Sequence, residues 1–234
     1  MDNILGIKNL FTRSRRVERW DYVHKFGSCS LASAGSVWSA TGLYPWSALT
    51  NPEILFVSST DAGDNDTVEI QGLDTNWELI TETVSLAGSP SQVVTVNPFR
   101  RVFRMKYSST NVGLITARTL SHAGTVVAQI DTGKAQTLMA IYTIPANKVG
   151  YLLKYTAGTA KGDDTHLQLF MREDQNNGFR IKSEIDLFQN NFVQDFSVPF
   201  RVLGKTDIDF RVTQSAGGGN SRCTVNFDLV LEDI

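Results

Sequence analysis

The chain has 234 residues but few cysteines and histidines, and these shortages limit the chemistry that it can carry. Cys29 and Cys223 are its two cysteines, too few for a small scaffold held together by disulfides. No apolar stretch precedes a small-residue cleavage site, so we expect no secretory signal and free thiols that act as small buried hydrophobes. His24, His122 and His166 lie in three separate segments and do not offer the three or four ligands of a zinc site.

Long apolar runs and strongly basic character are also missing. No run approaches the ~20 apolar residues that a membrane-spanning helix needs, and a net charge of −2 argues against bulk binding of nucleic acid. The charge is nevertheless uneven, because residues 1–25 carry six basic and three acidic side chains, a balance of +3. Residues 26–134 and 135–234 have balances of −3 and −2. We therefore expect a basic arm on a mildly acidic protein, with no nucleic-acid or membrane partner.

The motifs of common enzymes are absent from the sequence. There is no G-x-S-x-G nucleophile motif, no phosphate-binding G-x-x-x-x-G-K-[ST] loop and no G-x-G-x-x-G between a strand and a helix. Asp61, Asp64 and Asp66 share a loop that has two interpretations, a calcium site without EF-hand spacing or a solvated turn. Glu82 has the parity of an inward-facing residue and is a candidate acid for a glycan hydrolase, which needs a second carboxylate on a facing strand. We predict no enzyme activity, no metal and no cofactor.

A β-hairpin pattern runs from Thr67 to Leu86. Val68 and Ile70 alternate with polar residues, which is typical of a strand with one buried face. The letters GLDTN then supply turn residues, and apolar and polar residues alternate again from Leu79. The pattern predicts one long hairpin with a polar tip, a feature that suits a protein that presents surfaces.

Short β-rich segments separated by turn clusters fill most of the remaining chain. The most regular is the last, where Cys223, Val225 and Phe227 share one face and Thr224 and Asn226 the other. Strands with one polar and one buried face predict an all-β protein of two antiparallel β-sandwich, jelly-roll-like units with an N-terminal arm. The predicted divisions are the arm and an irregular connection over residues 1–52, a first sandwich over 53–125 and a second over 135–234.

Ordered strings in both halves of the chain resemble small virion structural proteins of tailed bacteriophages. In the first half they are VEIQGLDTNWELITETVSLAGS and VVTVNPFRRVFRM. In the second they are QTLMAIYTIPANKVGYLLKY, FRIKSEIDLFQNNFVQDFSVPFRVLGKTDIDFRV and FDLVLEDI. The resemblance covers roughly residues 53–234 and leaves the basic arm outside. It implies a particle component, either a capsid decoration (cement) protein or a head, neck or tail fibre protein, and it brings no catalytic residue.

On this resemblance we expect a protein that decorates and stabilises a phage capsid, located in a virion that assembles in the host cytoplasm. The expected partners are the major capsid protein or other virion proteins, and copies of the chain itself in a dimer or trimer. The arm is either a short amphipathic helix, a segment that orders on its partner, or a mobile terminus. The alternative function is a neck, tail or head-fibre component that binds a host surface glycan.

Two groups of residues are candidate partner-binding sites. The first would anchor the arm, and its members are Arg13, Arg15, Arg16, Arg19, Trp20, Tyr22 and Phe26. The second is the hairpin tip with Asp74, Asn76 and Trp77, where an exposed Trp77 would stack on a sugar in the glycan-binding alternative.

Overall fold

A computed structural model describes residues 20–30, 34–160, 164–216 and 222–234. These residues form sixteen β-strands and one short 3-10 helix, Trp46–Leu49, and contain no α-helix. The all-β prediction is therefore confirmed, while the jelly-roll arrangement and the two-domain division stay predictions. No helix in the described ranges is long and apolar enough to cross a membrane.

The strands differ greatly in length, and the longest belong to the second half of the chain. In chain order they are β1 (Trp20–Ser30), β2 (Gly35–Ser36), β3 (Phe56–Ser59), β4 (Thr67–Leu73), β5 (Leu79–Ser85), β6 (Val93–Val94), β7 (Arg101–Tyr107), β8 (Ile115–Arg118), β9 (Val126–Ile130), β10 (Ile141–Thr143), β11 (Lys148–Thr159), β12 (Asp164–Arg172), β13 (Arg180–Phe188), β14 (Asn191–Val202), β15 (Asp207–Ala216) and β16 (Arg222–Asp233).

The strands form four antiparallel sheets. Sheet A has the order β1-β16-β11-β14, and sheet B has the order β10-β15-β12-β13 with the short β2 paired to β15. Sheet C has the order β6-β3-β8-β9, and sheet D has the order β5-β4-β7. Both β1 and β14 are edge strands of sheet A, so each has one neighbour within it.

Sheets A and B share one hydrophobic core. Tyr155 of β11 lies 5.2 Å from Phe210 of β15, and Phe210 lies 5.3 Å from Phe227 of β16, measured between ring centres. The alternation of β16 puts Cys223, Val225 and Phe227 in this core, as the sequence predicts. Burial of such apolar surface is the main favourable term in folding, at about 25 cal/mol per Å².

Sheets C and D enclose a second core, which extends beyond the predicted first sandwich. Its buried members from the two sheets include Val57, Ile115, Val68, Ile70 and Met105. Residues on both sides of the predicted unit also belong to it, and they include Trp38, Tyr44, Trp46, Leu49, Met139 and Ile141. The segment predicted to be an irregular connection therefore supplies three large aromatic side chains to this core.

The predicted arm ends earlier in the structure than in the sequence interpretation. Trp20–Ser30 is not arm or irregular connection but strand β1, which pairs with β16 from Trp20 opposite Glu232 to Ser30 opposite Arg222. The sequence hides this strand because its alternation is interrupted, with Lys25 buried and Tyr22 exposed. Strand β9 lies in the interval between the two predicted sandwiches and pairs with β8.

The predicted hairpin forms as β4 and β5, but its tip is not a free surface. Trp77 is 8% exposed and joins the core of sheets A and B, and its carbonyl accepts a hydrogen bond from the Ala146 N–H at 2.9 Å. The guanidinium groups of Arg100 and Arg101 each lie 4.9 Å from its ring. The prediction of an exposed Trp77 is therefore wrong, because the tip docks on the second half of the chain.

A buried ion pair links the two halves near this tip. Arg101 of β7 donates to both carboxylate oxygens of Asp207 of β15, at 2.8 and 3.1 Å, and the two side chains are 1% and 0% exposed. Arg172 and the Thr143 hydroxyl also donate to Asp207, at 2.6 Å each. Arg101 therefore finds its acidic partner inside the chain, on a strand more than 100 positions away.

Candidate functional site

A break in the pairing of sheet A opens a cleft on its outer face. Leu152 of β11 pairs with Phe200 of β14, but Lys154 pairs with Asp195, so residues 196–199 lie opposite the single residue Leu153. Irregularities of this kind often occur beside functional sites, because they re-aim side chains that a regular ladder would hold flat. The cleft has a volume of about 590 Å³, within the roughly 300–1,000 Å³ of small-molecule sites.

All four strands of sheet A contribute to this cleft, which we call the sheet A cleft. The lining residues, in their order across the sheet, are Tyr22 of β1, Asp228 of β16, Leu153 and Lys154 of β11, and Asp195, Phe196 and Ser197 of β14. Most of the exposed lining surface is apolar. The combination of aromatic side chains and a few charged groups is typical of a ligand site.

Among the charged groups of the sheet A cleft, Asp228 has the most hydrogen-bond and ion-pair partners. Its Oδ1 accepts from the Tyr22 hydroxyl and lies 2.6 Å from both that oxygen and His24 Nδ1, while Lys154 Nζ lies 3.3 Å from Oδ2. Burial alone would raise the pKa of Asp228, but these hydrogen bonds and the Lys154 charge outweigh it and hold the pKa below its usual value. Asp228 is therefore a fixed carboxylate at neutral pH.

Tyr22 combines a held hydroxyl with an open ring. Burial and the hydrogen bond to Asp228 raise the pKa of Tyr22 to about 12, so the hydroxyl stays protonated and donates. The residue as a whole is nevertheless 57% exposed. One end of the side chain is thus anchored while its face is available to a ligand.

A second, smaller cleft lies between β1 and sheet D, and it contains a buried lysine. The Lys25 ammonium group donates to the Phe103 carbonyl and lies 5.8 Å from the Phe103 ring centre. Burial, with a contribution from Arg104, puts the pKa of Lys25 well below its usual value. Arg104 in turn donates to the His24 carbonyl at 2.8 Å. We interpret these contacts as packing between the two halves, and Lys25 is no part of a charged arm.

The predicted anchor residues separate into three groups in the structure. Arg13, Arg15, Arg16 and Arg19 lie outside the described residues. Trp20 and Phe26 are half-buried in β1, and the Phe26 ring lies 5.9 Å from the Arg104 guanidinium carbon. Tyr22 lines the sheet A cleft. Trp20, Tyr22 and Phe26 therefore belong to a sheet and not to a free arm.

The predicted tip residues Asp74 and Asn76 form a self-contained turn. Asp74 Oδ1 accepts from the N–H groups of Asn76 and Glu78, at 2.8 and 2.9 Å. This is the local capping that Asp commonly provides in turns. Contact of these two residues with a partner stays a prediction.

Asp64 of the acidic loop and Glu82, the candidate catalytic acid, both have structural roles. Asp64 is buried and accepts from the Ser59 hydroxyl at 2.5 Å and from the Val112 and Gly113 N–H groups at 2.8 and 2.9 Å. It is therefore not in a solvated turn. Glu82 accepts from the Val96 and Asn97 N–H groups and thus holds a loop. Among the described residues, no group of three or more His, Cys, Asp or Glu side chains could hold a metal ion.

Six of the seven lining residues of the sheet A cleft were missed by the sequence interpretation, all except Tyr22. Asp228 lies on the polar face of the last strand, where it has the same signal as Thr224 or Asn226. Lys154, Asp195 and Phe196 belong to strands whose mutual register the sequence does not show. The only local signal was a Pro in the string DFSVPF, since proline inside a strand pattern favours an edge or a bulge.

Comparison with known proteins leaves the family open. No protein-family model matches the chain, and no curated protein matches it. Among solved structures, it aligns with a chain from naturally occurring empty particles of cowpea mosaic virus at 8% identity and a TM-score of 0.23, over 84% of this chain and 85% of that chain. Infectious bursal disease virus of the Gx strain gives 9% identity and a TM-score of 0.25, over 92% and 77%. The VP2 subviral particle of infectious bursal disease virus gives 9% and 0.24, over 93% and 73%. TM-scores of this size do not establish a shared fold.

Proposed function

We propose that the chain is a virion structural protein that decorates and stabilises a phage capsid. The observation that carries the proposal is the sequence resemblance, whose ordered strings now coincide with strands of both cores. The string VEIQGLDTNWELITETVS spans the β4–β5 hairpin, and FDLVLED lies within β16. An all-β framework suits repeated contacts in a particle. The partners are the major capsid protein or other virion proteins, and copies of the chain itself.

In this proposal, attachment uses the segment that precedes β1. Residues 1–19 hold five basic and two acidic side chains, a balance of +3, whereas residues 20–234 have a balance of −5. Strand β1 begins at Trp20 and is an edge strand, so the basic segment joins the body at the margin of sheet A. Opposite charge on a capsid surface would steer this segment and fix its orientation.

The test is binding of variants to capsids that lack the protein. Removing residues 2–19 leaves β1 intact, whereas a cut at residue 25 would also remove about half of β1. We expect the triple variant Arg13→Gln, Arg15→Gln, Arg16→Gln to lose most binding at physiological salt. The matched control removes three exposed charges from the body, at Lys134, Arg180 and Arg222. Equal binding by both triple variants would refute attachment through the segment.

The second candidate is a neck, tail or head-fibre component that binds a host surface glycan. Trp77 cannot serve as its stacking surface, because it is buried between the two halves. The observation that favours this candidate is the sheet A cleft, which offers an exposed aromatic ring beside fixed charges. The position in the particle separates the candidates: many copies over the head support decoration, and a few copies at a vertex or tail support the fibre.

A further inference from the structure

We propose that the sheet A cleft binds a neutral sugar ring, which stacks on Tyr22 and hydrogen-bonds to Asp228, Lys154 and Asp195. This inference deepens the second candidate function by naming its site and ligand class. It does not depend on capsid decoration.

The apolar walls of the cleft suit the carbon-bearing face of a sugar. Tyr22 stands on one side with its ring exposed, Phe196 lies on the other side, and Leu153 lines the space between their strands. Aromatic rings provide large, rigid contact area at a small cost in side-chain entropy. Because its hydroxyl is already bonded to Asp228, Tyr22 loses less freedom on binding than an unanchored side chain.

The polar groups of the cleft match hydroxyls, which both donate and accept hydrogen bonds. The Asp228 carboxylate has about four acceptor positions and accepts from three donors of the protein. About one position therefore remains for a sugar hydroxyl. Asp195 adds an exposed carboxylate at the margin. The Lys154 ammonium group has three donor hydrogens, and one of its contacts is with Asp228. The Ser197 hydroxyl can either donate or accept a hydrogen bond. Hydrogen bonds to charged groups are the stronger kind and fix orientation.

The charges of the cleft disfavour other ligand classes. Two carboxylates face one ammonium group, so a phosphate, a nucleic acid or an acidic sugar would meet net repulsion. A purely apolar ligand would cover charged side chains without replacing their hydrogen bonds to water, which costs free energy. A neutral ring with several hydroxyls avoids both penalties.

The experiment measures binding of defined sugars to the full-length protein. The probes are methyl glycosides of glucose, galactose, mannose and N-acetylglucosamine, with sialic acid as an anionic comparison, each titrated to tens of millimolar and followed by NMR. We expect at least one neutral probe to bind with a millimolar or lower Kd, and sialic acid to bind more weakly. No binding by any neutral probe, or a preference for sialic acid, would overturn the proposal.

Substitutions in and outside the sheet A cleft test whether the sugar binds there. Tyr22→Ala should weaken binding of the positive probe at least tenfold, and Asp195→Asn should weaken it severalfold. Phe188→Ala removes a similarly exposed aromatic ring from β13 and is the matched control, with no expected change. Tyr22→Phe keeps the ring and should retain most binding, and thermal unfolding checks that each variant folds. If Tyr22→Ala and Asp195→Asn bind as the unaltered chain does, the site is wrong, whatever the position of the protein in a particle.

Discussion

Cys29 of β1 and Cys223 of β16 lie directly opposite each other in sheet A, although 194 positions separate them in the chain. Opposite residues of an antiparallel pair have Cα atoms about 4.5–5.5 Å apart, which falls within the roughly 4.4–6.8 Å that a disulfide requires. Both thiols are free, and burial raises the pKa of Cys29 to about 12 and that of Cys223 further. The pair therefore has suitable placement but little reactive thiolate.

We expect these thiols to form a disulfide with glutathione disulfide as oxidant, slowly at neutral pH. The two thiols lose two electrons and two protons, and the oxidant is reduced to two glutathione molecules. The bridge should raise the free energy of unfolding by about 2–4 kcal/mol, since it closes a long loop of the unfolded chain. Thiol titration and urea unfolding before and after oxidation measure this. Cys29→Ser is the control, and equal stability of oxidised and reduced protein would contradict it.

The buried pair of Arg101 and Asp207 should be sensitive to loss of one partner. Asp207→Asn leaves the Arg101 charge without its acid in a dry environment, and we expect the free energy of unfolding to fall by about 3–5 kcal/mol. The control is Glu69→Gln, which breaks the surface pair with Lys106 and should cost about 0–1 kcal/mol. Urea unfolding measures both. A similar loss for the two variants would show that the pair does not hold the halves together.

Trp77 has a backbone φ of 66°, in the left-handed region that favours glycine. Trp77→Ala should lower the free energy of unfolding by about 3–5 kcal/mol, because it empties a buried site. Trp77→Gly should be no worse, because glycine relieves the backbone strain. At Trp46, which is also buried, the glycine variant should be less stable than the alanine variant by about 0.5–1 kcal/mol. The same order of alanine and glycine at both positions would contradict the strain argument.

Asp64 should make the stability of the protein depend on pH. Burial alone would raise its pKa, but the hydrogen bonds from Ser59, Val112 and Gly113 outweigh burial and lower the pKa below its value in the unfolded chain. The stabilisation is therefore present above the unfolded pKa of about 3.9 and is lost as pH falls through the lower folded value.

The corresponding measurement compares the unaltered chain with Asp64→Asn by urea unfolding from pH 7 to pH 3. The variant should be less stable at pH 7, and the difference should shrink toward pH 3. Asp174→Asn, an exposed turn substitution, is the control. A difference for Asp64→Asn that stays constant over this range would rule out an ionised Asp64 as its source.

Local pattern sufficed for strands whose two faces differ. The β4–β5 hairpin and β16 were predicted because a half-buried strand repeats every two residues, and this period can be read without knowing the partner strand. Strand β1 was missed because it lacks a readable period: its buried Lys25 and exposed Tyr22 reverse the usual polarity of a strand. Both side chains owe their positions to elements distant in the chain.

The sequence by itself determined the all-β class, the basic segment before Trp20 and the inward face of β16, because composition and two-residue periodicity are local properties. Tertiary structure alone decided that Cys29 meets Cys223, that Arg101 meets Asp207 and that Trp77 is buried. It also placed Tyr22 beside Asp228, and so formed the sheet A cleft. Such pairs depend on strand order and register, which follow from how whole sheets bury their apolar faces against one another.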